Sequence, residues 1–303
     1  MRDFPDPAGV LVVGESLLDI VARPNGTILE HAGGSAANVA VALARLGRPV
    51  RFLTALGDDQ RGALLAHLLS QSGVGIVGDP YTVSRTATAM ATIGLDGSAS
   101  YEFDIEWRLG ALPDISPAAV HTSSIGAVLE PGAAQVQGLL RHLRANATIS
   151  YDINARPTLT GTGPRLVRAV EAIAALADLI KASDEDLESL YPGMPASASA
   201  AHLLGLGPSA VIVTSGDAGA TWIADGLRVD VPAARARVAD TIGAGDTFSA
   251  ATIDALWDLD ALGGRLPTLD VAQITSVLRH AARAAAVTVS RPGADPPYQQ
   301  ELR

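Results

Sequence analysis

Apolar runs and polar breaks divide the chain into a recurring strand–helix pattern. Val10–Val13 is a short, largely β-branched run that stops at Gly14, the mark of a strand buried on both faces of a parallel sheet. Helical spacing over residues 35–46 ends at Gly47, where a C′ glycine belongs. A strand at 50–55 follows, then a helix at 58–71 with an acidic start and a stop at Gly73. From residue 120 the rhythm is regular. Strands are expected at 120–125, 148–151, 179–181 and 210–214, and helices at 133–144, 165–177, 184–191 and 198–204. A ribbon over 220–231 turns at Asp225-Gly226, and two longer helices, about 244–258 and 271–286, close the chain. Residues 157–164, with a proline at each end, read as a loop.

Two early segments break this rhythm. Apolar stretches at 20–22 and 27–29 flank Pro24-Asn25-Gly26, and stretches at 86–93 and 98–103 alternate around Asp96-Gly97. Both are hairpin signals. Alternating β and α argues for a doubly wound, mostly parallel sheet with helices on both faces. The hairpins suit a small separate sheet formed by their pairing, a lid. The expectation is one α/β domain over 1–303, with lid insertions at about 15–32 and 85–108.

Composition changes the picture mainly by exclusion. The chain has 22 Lys+Arg against 32 Asp+Glu, a net charge of −10, and Lys181 is its one lysine. That balance argues against nucleic-acid or anionic-membrane partners, which need clustered cations. The absence of cysteine removes disulfides, thiolate zinc sites and cysteine nucleophiles. No glycine precedes Lys181 in Leu179-Ile180-Lys181-Ala182-Ser183, so no Walker-type phosphate loop is present. No apolar stretch reaches the roughly 18 residues of a membrane span. Glu15 and Asp19 interrupt the first apolar run, so no signal peptide is read and the cytoplasm is the expected compartment.

One segment carries most of the chemistry: Asp240-Thr241-Ile242-Gly243-Ala244-Gly245-Asp246-Thr247-Phe248. Gly243, Ala244 and Gly245 put small side chains where a helix begins, so unpaired amides and the helix dipole make an anion site without a lysine. A carboxylate there, Asp246, is wasteful for simple phosphate binding but suited to taking a proton from a hydroxyl that attacks the phosphate. An ordinary glycine-rich, acidic helix start has the same pattern. A second segment, Gly33-Gly34-Ser35-Ala36-Ala37-Asn38, pairs a diglycine with an asparagine whose amide can both donate to and accept from sugar hydroxyls.

Together with Asp19, these two segments resemble the two signatures of the PfkB carbohydrate kinases, the ribokinase-like family. The resemblance runs from Val10 to about Pro297. It implies a ribokinase-like fold and an ATP-dependent sugar kinase, with Asp246 as base and the amides of Gly243, Ala244 and Gly245 as anion hole. It implies sugar contacts at Asp19, Gly33, Gly34 and Asn38, and at Glu130 in Val128-Leu129-Glu130-Pro131. Asp152-Ile153-Asn154-Ala155-Arg156-Pro157 is similar to the D-x-N-x-R-P stretch of fructokinases and 2-keto-3-deoxygluconate kinases, making Arg156 a phosphate or carboxylate contact.

The family's N-x-x-E motif stands here as Ser183-Asp184-Glu185-Asp186, which assigns magnesium to Asp186 with Glu185 as rival. Thr214-Ser215-Gly216-Asp217-Ala218-Gly219 matches the T-x-G-x-x-G nucleotide loop, implying Ser183, Thr214, Gly216 and Gly219 as nucleotide contacts. Asp240, the Ile242 carbonyl and the loop at 290–293 fit the family's potassium site. His280 is a candidate adenine neighbour or a solvent-facing helix residue. Tyr101, Phe103 and Trp107 either stack on a ligand or pack elsewhere. Ser35, where ribokinases carry lysine, points to fructokinase-like members and so to fructose. The alternatives are 2-keto-3-deoxygluconate kinase, ribokinase, or a non-catalytic sugar- or nucleotide-binding sensor on the same fold. A homodimer through the lid is compatible with its sheet edges.

Overall fold

The computed structural model describes residues 9–22, 25–93, 99–112 and 114–302. Nine strands form a central sheet in the order 227–231, 220–224, 210–214, 179–183, 148–152, 119–123, 10–13, 50–53, 75–76. All neighbours from Ala210–Thr214 to Gly75–Ile76 are parallel, and only the two ribbon strands Ala220–Ala224 and Leu227–Val231 run antiparallel. This is the expected mostly parallel sheet. Side chains alternate across it with period two. Leu11, Val13, Val120, Ile149 and Ile180 face the helices Gly132–Leu143 and Pro164–Ala174. Val10, Val12, Phe52 and Ala119 face Ser35–Arg45, and Leu179 and Ile212 face Ala244–Asp258 and Val271–Val289.

The chain leaves Val10–Val13 toward one edge of the sheet and later returns through Ala119–Ser123 on its other side. The strand order therefore reverses between these two strands. In such sheets ligands bind in the crevice beyond the strands' carboxyl ends at that reversal. Gly14 leads into the crevice, and a Cβ there would stand 2.4 Å from that of Ala36, so strand and helix pack without a gap.

A separate four-stranded sheet has the order 28–33, 17–22, 88–93, 99–104. Its two hairpins join through a parallel pairing of Leu17–Ala22 with Thr88–Ile93. The pairing of the hairpins was expected; the strand lengths were not. Leu18 and Ile20 pack on Leu56 and Leu65, which extends the first strand inward. Pro24 of the first turn, the Asp96-Gly97 turn and the N-terminal residues 1–8 lie outside the described residues.

Several expected bounds shift. The strand read at 120–125 ends at Ser123, and Ser124–Val128 is a short helix, because Ser124 turns the chain with φ 51°. The loop read at 157–164 contains the single turn Pro157–Thr160, for which Pro157 supplies an N-terminal residue. The helix read at 58–71 starts at Gln60, because the Asp59 carboxylate accepts from the Gly62 amide and caps it.

Candidate active site

A cleft of about 350 Å³ opens where the two sheets meet. It lies at the carboxyl ends of the central strands. Glu15, Asn154 and Arg156 line it from the loops after two of them, and Ser124 and Ile125 from the short helix after a third. Ser35 and Asn38 come from one helix, Gly243, Gly245 and Asp246 from another, and Asp19, Ala89 and Phe103 from the smaller sheet.

Both helices begin here without a side-chain cap. Gly34 caps the first with φ 102° and Gly243 the second with φ 75°, a region closed to most other residues. Close packing forbids a side chain at either position as well. A Cβ on Gly34 would lie 2.6 Å from the Glu15 carbonyl oxygen, and one on Gly243 2.6 Å from the Ala294 Cβ. The first amides of a helix have no acceptor within it. At the first helix, the Ser35 amide donates to Glu15 Oε1 at 2.9 Å. At the second, the Ala244 amide makes a long 3.3 Å bond to the Thr241 carbonyl, and the Asp246 carboxylate sits in the first turn.

Asp246 is 7% exposed and surrounded by donors. Its Oδ2 accepts from Asn38 Nδ2 at 2.8 Å. Its Oδ1 accepts from Ser35 Oγ at 2.7 Å and, longer, from Asn154 Nδ2 at 3.4 Å. Burial raises its pKa and the Asp152 charge adds to that, while the Asn38 and Ser35 hydrogen bonds and the Lys181 charge oppose it. Ser124 and Asn154 hold positive φ without being glycine, and both border the cleft. Such strain persists where surrounding structure holds it and concentrates at functional sites.

Asp19 faces the cleft from the small sheet, against Gly33, and its pKa is raised by burial against the pull of His31 and Arg156. Arg156 is exposed at the mouth, where Nη1 donates to the Asn154 and Ala155 carbonyls. Glu130 stands apart from this cleft. It is exposed, and its carboxylate accepts from the Ala134 amide at 3.3 Å. Trp107 is buried, donating from Nε1 to the Gly126 carbonyl, so it is a packing residue, whereas Phe103 borders the cleft. The Tyr101 side chain lies outside the described residues.

The expected nucleotide residues gather on adjoining strands. Ser183 and Thr214 are in register at the ends of their strands, with Gly216 and Gly219 in the following turn, both at positive φ. Asp186 is buried. Its Oδ1 accepts from the Ala155 amide at 2.7 Å and its Oδ2 from the Ser183 amide at 2.8 Å, closing a capping box. Asp240 is likewise engaged, by the amides of Ile242 and Gly293, and these bonds hold its pKa down. His280 pairs with Asp254 at 2.7 Å on the neighbouring helix.

A model of the pfkB family carbohydrate kinases matches residues 8–301. The chain belongs to this family. A fructokinase from Rhizobium leguminosarum bv. trifolii is 34% identical over 261 residues, covering 82% of this chain and 79% of its own. The probable fructokinase-4 of Arabidopsis thaliana is 32% identical over 315 residues, covering 97% of this chain and 95% of its own. The crystal structure of fructokinase with bound ATP from Xylella fastidiosa superposes with a TM-score of 0.86 at 30% identity, covering 97% of each chain. This pfkB member is a carbohydrate kinase, a phosphotransferase whose acceptor is a sugar hydroxyl. Among its described residues, no helix is long and apolar enough to cross a membrane.

Sequence reasoning missed three parts of this kinase's cleft. Glu15 is 3% exposed, and its two oxygens accept from the Ser35 and Gly126 amides. Its signal was a charged residue within an apolar run directly after a buried strand. Ser35 was read only as a guide to substrate, although its hydroxyl touches Asp246. Asn154 was seen only as part of a motif.

Proposed function

We propose that this carbohydrate kinase transfers the γ-phosphate of ATP to a primary hydroxyl of fructose. The sugar oxygen bonds to the γ-phosphorus, the bond to the ADP oxygen breaks, and the hydroxyl proton passes to the Asp246 carboxylate. One observation carries the reading: a buried carboxylate at the uncapped start of a helix, held by side-chain donors on both oxygens. The amides of Gly243 to Gly245 face the charge that develops on the phosphoryl oxygens. Asp19, Gly33, Gly34 and Asn38 orient the sugar, and Arg156 at the mouth meets phosphate. The small sheet excludes water, which would compete as acceptor.

Fructose is favoured by the names of the relatives and of the Xylella neighbour. ATP as donor also suits a cytoplasmic enzyme. Among the described residues no three side chains form a metal cluster, and both oxygens of Asp186 and of Asp240 already accept amides. These residues fit a magnesium ion carried on the nucleotide phosphates, with a carboxylate at 185 or 186 reaching it through water. When bound, that ion neutralises phosphate charge. Asp240, held ionised, suits a potassium ion beside the anion turn.

The test is a coupled assay for ADP over fructose, ribose, tagatose, 2-keto-3-deoxygluconate and adenosine. Fructose should have the highest kcat/KM. A higher value for 2-keto-3-deoxygluconate or ribose would replace the substrate. Binding without turnover on every sugar would favour a sensor.

A further inference from the structure

Lys181, the protein's one lysine, is buried beneath the candidate active site rather than in it. It rises from the strand Leu179–Ser183, in register with Asp152 on the next strand. Its Nζ donates to Asp152 Oδ2 at 2.8 Å. The same oxygen accepts from Ser249 Oγ at 2.9 Å, and Ser249 lies one turn along the helix from Gly245. Asp152 is fully buried and its other oxygen has no partner. The ammonium lies so close under Gly245 that a Cβ there would stand 3.0 Å from Nζ.

Stability does not account for this choice. A cation is disfavoured at a helix N-terminus, where the dipole is already positive. A buried ion pair is commonly no better than an apolar pair of the same volume. The arrangement gains a purpose when a highly charged phosphoryl group arrives on the far side of the turn. The carboxylates of Asp152, Asp186 and Asp246 keep the lysine protonated although burial opposes it. The positive charge therefore stays in place without a side chain entering the cleft.

We propose that Lys181 is a positioning residue for phosphoryl transfer: held by Asp152, its ammonium supports the turn Gly243-Ala244-Gly245 from below and adds positive potential behind its amides. The inference rests on the reading of Asp246 and this turn as the reaction centre.

The deciding variant replaces both charges, Lys181→Met with Asp152→Asn, so that no unpaired buried charge remains. Lys181→Met alone should lower Tm, because Asp152 is then buried without its cation. The double variant should recover Tm while kcat stays about 100-fold below wild type. KM for fructose and for ATP should change less than about threefold. Wild-type kcat in the double variant would overturn the proposal, as would its failure to fold, since either outcome makes the pair structural only. Asp246→Asn is assayed in parallel. If that variant retains wild-type kcat, the reading of the centre itself fails; if it is inactive while the double variant is normal, only the role of Lys181 fails.

Discussion

The Ser35 hydroxyl lies 2.7 Å from Asp246 Oδ1 and 2.8 Å from Ser123 Oγ, joining two helix starts and a strand end through one oxygen. Asn154 Nδ2 donates to the same hydroxyl oxygen at 2.9 Å, and because an ionised carboxylate can only accept, the one Ser35 hydrogen serves Asp246. A donor to the ionised carboxylate lowers its pKa, against the burial that raises it. Ser35→Ala removes that donor. The acid limb of the kcat/KM profile should therefore move to higher pH, and kcat should fall about tenfold. An acid limb at the wild-type position would separate Ser35 from the base.

Asp246→Asn tests the base itself. The amide can still accept from Asn38 and donate to Ser35, so the fold should be retained. It cannot take the proton. General base catalysis contributes about 10²–10⁴-fold, so kcat should drop by about 10³ with an unchanged circular dichroism spectrum. A loss below about tenfold would remove Asp246 from that role.

Most of the parallel strands were legible because each is a short apolar run closed by a turn signal, as at Val10–Val13 and Ala210–Thr214, whereas the two-residue edge strand Gly75–Ile76 was too short to show one. Asp246 and the 243–245 turn were legible because small residues before a helix have a direct electrostatic meaning. The contacts that cross the fold were not. Ser35 and Asp246 are separated by 211 positions, and Glu15 and Gly126 by 111. No local pattern reports such pairs. The short helices Ser124–Val128 and Pro157–Thr160 escaped for a related reason, since each is too brief to show a helical period. Asp186 illustrates the converse. The motif resemblance assigns it to magnesium, yet the capping box engages its Oδ2 and the Ala155 amide, 31 positions away, engages its Oδ1.

Gly33→Ala probes the sugar side. A Cβ at Gly33 would stand 2.2 Å from Asp19 Oδ2 and 3.1 Å from its Cγ. The carboxylate must swing away, and it is the group proposed to hold the sugar hydroxyls. KM for fructose should rise at least tenfold while KM for ATP stays near wild type. Equal KM values for fructose in the two proteins would place Asp19 outside the sugar site.

Asp240 offers a test with ions alone. Its carboxylate is held ionised by the Ile242 and Gly293 amides. If it shares in a potassium site, exchanging potassium for sodium at constant ionic strength should lower kcat several-fold. Asp240→Asn should abolish that difference. Equal rates in the two salts would remove the cation from the mechanism.

Glu15 links the cleft to stability. Burial pushes its pKa up to about 7, with the Asp246 charge contributing, although the Gly126 and Ser35 amides pull it down. The raised value means that the folded protein holds this proton more tightly than the unfolded chain, whose glutamate titrates near 4.3. The stability that follows is fully present below the unfolded value and is lost as pH rises toward about 7. Its size is on the order of 3 kcal/mol. Glu15→Gln cannot titrate, so this slope should vanish from its urea unfolding curves between pH 5 and 8. The wild-type protein should lose stability relative to the variant across that range, and the two should run parallel above pH 8. Parallel curves from pH 5 upward would show that Glu15 is already ionised in the folded enzyme at the acid end, held there by its two amides.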